Sequence, residues 1–92
     1  MITQARMRRY RLLRRRHLQY GIRNVRRYAA EYKELGEEVW DYIVRLPARE
    51  AMVLWLYYVD GMSCIAIGMR MHYSEGHVRR IKRRCIRELP LE

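Results

Sequence analysis

A chain of 92 residues has room for one small domain, since a domain of this size buries only roughly 60–70% of the surface that its unfolded form exposes. Half of the residues are apolar, and the bulk comes from eight Tyr and two Trp with no Phe, which excludes a disordered tail and suits a packed helical protein. The net charge of +10 rests almost wholly on Arg, with only Lys33 and Lys82 as exceptions; a guanidinium pairs two-pronged with phosphate and guanine, so nucleic acid is a better partner than a membrane.

The longest apolar run, "AMVLWLYYV", falls far short of the ~20 residues that a bilayer span needs. Arg recurs through the first twenty residues, where a secretory signal needs an unbroken apolar stretch. A cytoplasmic chain with no membrane partner is therefore expected. Cys64 and Cys85 lie far apart among apolar residues, as small core side chains do, and no metal-ligand spacing or cofactor motif accompanies them.

Charge divides the chain into three blocks. Residues 1–30 hold ten Arg and no acid, residues 31–60 hold three cations and seven acids, and residues 61–92 hold seven cations and three acids. Partner-facing charge is expected at both ends, with two regions: a basic helical segment over 1–46, for packing or dimerisation, and a DNA-binding region over 47–92.

In the first region, apolar residues fall at Leu18, Ile22, Val25, Ala29, Tyr32, Val39, Ile43 and Leu46, in steps of three and four that predict amphipathic helices over 5–20 and 23–35. Gly36 before "EE" predicts a helix end and a new start. The stripe suits either packing on the rest of the chain or the seam of a homodimer. Pro47 then opens a third helix running to about Val59, where "DG" turns the chain. Being apolar all round, that helix must be covered on two sides: Val53 and Leu56 toward the C-terminal helices, Met52, Trp55 and Val59 toward the N-terminal ones.

The last third contains two capped helices. Ser63 caps "CIAIGMRM", "HY" makes a short turn, and Ser74 caps a helix with Val78, Ile81, Cys85 and Leu89 at helical spacing. A helix-turn-helix needs a small residue at the close crossing, a turn residue tolerant of positive φ and a β-branched anchor on the second helix. Gly68, His72 and Val78 occupy those places. If Val78, Ile81 and Cys85 face inward, the helical period turns Glu75, Gly76, Arg79, Arg80 and Arg83 outward, with His77 and Arg84 on the flanks.

The stretch "LPAREAMVLWLYYVDGMSCIAIGMRMHYSEGHVRRIKRRCIREL" resembles region 4 of sigma-70-type sigma factors. The likeness is carried by Leu46-Pro47, Arg49-Glu50, Val53-Leu54, Leu56, Tyr58, Gly61, Ser63, Ile67, Ser74, Val78 and Leu89. It departs at Cys64-Ile65-Ala66, where that family usually has an aromatic and paired acids, and at Gly68 and His72, where Ala and Gly are usual. The resemblance implies an all-α fold in which N-terminal amphipathic helices precede a region-4-like helix-turn-helix. It also places base reading on Glu75, Gly76, Arg79 and Arg80. The first 46 residues are unlike a promoter-melting region, so the chain is more similar to short phage-encoded transcriptional regulators acting in a bacterial cell or phage-infected host.

The resulting expectation is a sequence-specific double-stranded DNA-binding regulator with its recognition helix, 74–87, in the major groove. Glu75, Gly76, Arg79, Arg80 and Arg83 would face base edges. Ser74, His77, Arg70, Lys82, Arg84 and Arg87 would hold phosphates, and Arg14, Arg15 and Arg16 would form a non-specific basic arm. Two alternatives stay open. One is an adaptor docking on RNA polymerase through Trp55, Tyr57 and the acidic middle block; the other is an RNA binder using the Arg and Tyr of the N-terminal block. No catalytic constellation stands in the sequence, so an enzyme is not expected.

Overall fold

The computed structural model describes residues 1–21 and 26–92. Their fold is all-α, with no strand among them. Helix α1 covers Gln4–Tyr20 and α2 covers Ala29–Ile43, entered through a 3-10 turn at Arg26–Tyr28. Helix α3 covers Ala48–Leu54 and widens into a π-type turn over Trp55–Val59; α4 covers Cys64–Met71 and α5 covers Glu75–Arg87.

Helix α1 is bounded by Thr3, whose hydroxyl accepts from the Arg6 N–H, and by Gly21 at φ 83°, whose N–H returns to the His17 carbonyl. Its crowded Arg side chains do not prevent the helix, because acids of α2 lie against it. The Arg6 guanidinium grips Glu38 at 2.8 and 3.0 Å, and Arg9 donates to Glu31 at 2.7 Å. These partners place the start of α1 beside the end of α2, so the two helices form an antiparallel hairpin.

Gly36 does not end a helix. It lies inside α2, contrary to the expected break, and a Cβ there would touch the Tyr10 ring at 3.4 Å. Tyr10 is buried and stacks on Tyr32 with centroids 5.6 Å apart. Packing of that ring outweighs the ~1 kcal/mol by which Gly weakens a helix. The apolar stripe is redistributed accordingly: Met7, Tyr10 and Leu13 of α1 and Leu35, Val39 and Ile43 of α2 are buried, while Leu18 and Ala29 are exposed. Ile22, Val25 and the first residues of the expected 23–35 helix fall outside the described residues.

Pro47 stands one residue before α3, as its N-cap. The apolar segment after it is covered on two sides as expected, α3 by α5 and the π-type turn by α1. The assignment of faces changes in detail. Val53, Leu54, Leu56 and Tyr58 are buried; Met52 is half exposed; Trp55 meets Trp40 of α2 edge-on at 5.0 Å.

A single buried cluster joins residues from Ile2 to Leu89, so both halves of the chain share one core. Backbone bonds fasten the ends together. The Gln4 and Ala5 N–H groups, left without partners at the start of α1, donate to the carbonyls of Pro90 and Leu91 at 2.7 and 3.0 Å. At the far end of α3, the Tyr57 carbonyl accepts from Arg11 at 3.3 Å and the Val59 carbonyl from Arg14 at 2.8 Å. Two guanidinium groups thus complement the negative end of that helix dipole.

Gly36 and Gly68 give opposite expectations. A Cβ on Gly68 would stand 2.6 Å from the Tyr73 carbonyl oxygen, so Gly68→Ala should cost about 1–3 kcal/mol. Gly36→Ala should be neutral or stabilising by up to about 1 kcal/mol. Urea unfolding of the two variants measures both, and similar losses in each would contradict the tight crossing at Gly68.

Candidate nucleic-acid interface

The local chemistry of α4 and α5 is set by two serines. The Ser63 hydroxyl accepts from the Ala66 N–H and the Ser74 hydroxyl from the His77 N–H, each at 3.1 Å, as N-caps do. Between them His72 adopts the left-handed conformation, φ 60° and ψ 40°. The Tyr73 N–H then returns to the Gly68 carbonyl at 2.8 Å. The turn folds back so closely on α4 that only Gly fits at position 68 without displacement.

This turn sets the rotation of α5. Val78, Ile81 and Cys85 are buried, whereas Arg79, Arg80 and Arg83 are exposed on the other side of the same helix. Gly76 is exposed as well, and the Arg80 guanidinium lies 3.4 Å from where its Cβ would stand. The far end of α5 is tied to α2 by the Tyr42 hydroxyl, which donates to the Cys85 carbonyl at 2.7 Å.

The outward residues are not equally committed. Glu75 and Arg79, one helical turn apart, pair at 2.6 Å, and this bond is the main reason that the Arg79 pKa is raised. Both side chains are solvent-exposed, so the pair contributes little and can open to admit a ligand. Among the described residues, no acid lies within ion-pair distance of Arg80 or Arg83.

The expected phosphate-contact residues are spread over the flanks. Ser74 uses its oxygen as a cap and retains its own O–H to donate. His77 packs edge-on against Tyr73 at 4.7 Å, Lys82 stands 4.2 Å over the Tyr57 ring, and Arg84 pairs with Glu50 at 3.2 Å. Arg70 and Arg87 are exposed in the last turns of α4 and α5.

Arg14 does not stand with Arg15 and Arg16. It turns inward to the Val59 carbonyl and to the Tyr32 hydroxyl at 2.9 Å, leaving Arg15 and Arg16 as the exposed members of that group. Arg8 and Arg11, which the sequence reading passed over, share a face of α1 with Leu12 and Arg15 and line a groove against α5. Their spacing of three, four and seven was the available signal.

The family comparison agrees with this geometry. Residues 42–89, just over half of the chain, match the model of sigma-70, region 4. The chain belongs to that family. Region 4 is a DNA-binding helix-turn-helix domain, so α4 and α5 form its two helices here. No curated protein and no solved structure matches the chain. Helix α1 and most of α2 lie outside the matched region. Among the described residues, no group of three or more His, Cys, Asp or Glu gathers at a metal-binding distance, and no helix is long and apolar enough to cross a membrane.

The Tyr42 tie should be visible in alkaline solution. Burial, helped by the neighbouring Cys85 and Glu88, pushes its phenol up to about 12, against an ordinary value of ~10. A raised folded-state pKa favours the neutral phenol, so this contribution is whole below pH ~10 and is lost as the pH climbs through the folded value. Tyr42→Phe should cost about 1 kcal/mol at neutral pH and remove one late-titrating phenol from the tyrosinate absorbance, leaving Tyr10 and Tyr58 among those that burial also raises. Loss instead of a phenol that titrates near the ordinary ~10 would contradict the burial of Tyr42.

Proposed function

We propose that the chain is a sequence-specific double-stranded DNA-binding transcriptional regulator whose helix α5 lies in the major groove. The observation that carries this reading is the sorting of α5 into a buried Val78–Ile81–Cys85 side and an exposed arginine side. Among the described residues no acid pairs with Arg80 or Arg83, so their donors are ready for guanine N7 and O6 or for phosphate. Glu75 and Arg79 meet a duplex either as a pair or by exchanging each other for base edges, where a carboxylate accepts from cytosine N4. Ser74 and the first N–H groups of α5 suit a phosphate at the helix start. Lys82, Arg70, Arg84 and Arg87 then steady the backbone, with Arg15 and Arg16 adding affinity that is blind to sequence.

The same surface offers donors for an anion, which supports binding. The internal use of the acidic block weakens the polymerase-adaptor alternative in its expected form: Glu31, Glu34 and Glu38 face Arg6 and Arg9, and Asp41 pairs with Arg45. The RNA alternative loses one stacking ring, because Tyr10 is buried in the core. A gene of phage or mobile-element origin is supported by the likeness to short phage-encoded regulators. A homodimer through the N-terminal helices would use what they leave exposed, such as Leu18, Trp40 and Val44.

Selection of duplexes from a random pool, followed by binding to the selected and to a scrambled sequence, tests the reading. Arg80→Ala should weaken the selected duplex by roughly ten- to a hundredfold and the scrambled one far less. Arg16→Ala should weaken both alike and lower the slope of log affinity against log salt by about one. If Arg80→Ala acts equally on both duplexes, α5 does not read bases.

A further inference from the structure

The groove between α1 and α5 has a volume of about 840 Å³, and none of the described residues that line it is acidic. The two helices run in opposite directions along it. Gln4, at the start of α1, bonds to the carbonyls of Leu89 and Pro90 beyond the end of α5. Further along, Arg11 and Lys82 come within 3.9 and 4.2 Å of the same Tyr57 ring. One rim carries Arg8 and Arg15; the other carries Arg79, Arg83 and Arg87. Tyr57, Leu12 and Ile86 are apolar members of its lining.

Like charges gathered this closely repel one another unless an anion sits among them. Intramolecular partners account for only some of them: Arg11 bonds to the Tyr57 carbonyl and Arg79 to Glu75. Among the described residues, Arg8, Arg15, Arg83 and Arg87 have no acid within ion-pair distance. At 1.5 Å per residue each rim runs about 10–12 Å, long enough to follow a short run of phosphates on one strand. Arg79 and Arg83 belong both to this groove and to the outward side of α5, so a duplex held by α5 brings one of its strands to the groove's edge.

We infer that the groove between α1 and α5 binds a phosphodiester strand, with Arg8 and Arg15 on one side and Arg83 and Arg87 on the other. Deoxyribose edges lie over Tyr57 and Leu12. Helix α1 is thus a second DNA-contacting element, outside the region that matches the family. The inference rests on the DNA-binding reading above and extends it by naming where the flanking strand runs.

The test compares wild type, Arg8→Ala/Arg15→Ala and Arg80→Ala on the duplex selected from a random pool, using phosphate-ethylation interference and the salt dependence of affinity. Among the described residues Arg8 and Arg15 hold no ion pair, so their loss should leave the circular dichroism spectrum unchanged, and Arg8→Lys/Arg15→Lys controls for their charge. The expected result is that ethylation of a short run of phosphates on one strand blocks wild type and Arg80→Ala but not Arg8→Ala/Arg15→Ala, whose salt slope falls by about two. The lysine variant should restore both. If Arg8→Ala/Arg15→Ala keeps the wild-type interference pattern and slope while Arg80→Ala loses sequence preference, the groove proposal fails and the function stands. If wild type binds no duplex, both fail. If a glutamate-rich peptide binds wild type but not Arg8→Ala/Arg15→Ala, with duplex binding unchanged in both, the groove belongs to an acidic protein partner and the proposal is overturned.

Discussion

The tightest of the glycine positions is Gly68, where a Cβ would meet the Tyr73 carbonyl at 2.6 Å. The left-handed His72 makes this approach possible, because only a reversal there brings Tyr73 back over α4. Most L-residues pay about 1–2 kcal/mol for that conformation, with His among the less penalised side chains. Once the turn is set, the rotation of α5 has little freedom: Val78 and Ile81 join Ile67 in the buried cluster, and Arg79, Arg80 and Arg83 stay exposed. The orientation of the DNA-facing side is therefore a property of two backbone positions as much as of the arginines.

The high positive charge is divided by function along α1. Arg6 and Arg9 hold α2, and Glu31 is kept below its usual carboxylate range chiefly by its hydrogen bond from Arg9. Arg11 and Arg14 cap the carbonyls at the end of α3. Arg8, Arg15 and Arg16 remain outward. One helix thus neutralises an acidic neighbour, closes a helix end and adds to a cationic surface, with each role assigned by its position around the helical turn. Neutralising the acidic block in this way leaves the surplus of charge on the side shared by α1 and α5.

Local features were legible in the sequence. Ser63 and Ser74 bond three residues ahead, Gly68 and His72 sit in one turn, and Val78, Ile81 and Cys85 repeat on a single helix; such signals survive without knowledge of the rest of the chain. Features that depend on distant partners were not. Gly36 reads as a helix end until Tyr10, far earlier in sequence, is placed over it, whereas Gly21, with no ring of the described residues against it, ends α1 at the end expected for the 5–20 helix. Arg14 looks like Arg15 and Arg16 until the Val59 carbonyl is seen beside it. Thr3 was legible in principle, since its hydroxyl caps the Arg6 N–H three residues on. The groove needed both α1 and α5 in place, and no pattern in either alone specifies their opposite directions.

Nuclear magnetic resonance of the arginine Nε–Hε groups during titration with a duplex selected from a random pool tests the central claim most directly. The account predicts that Arg80 and Arg83 resonances shift on binding while the methyl groups of Val78 and Ile81 keep their positions, because one side of α5 meets DNA and the other stays in the core. Unmoved Arg80 and Arg83 signals, with the largest changes on α2 or on the exposed side of α4, would contradict it.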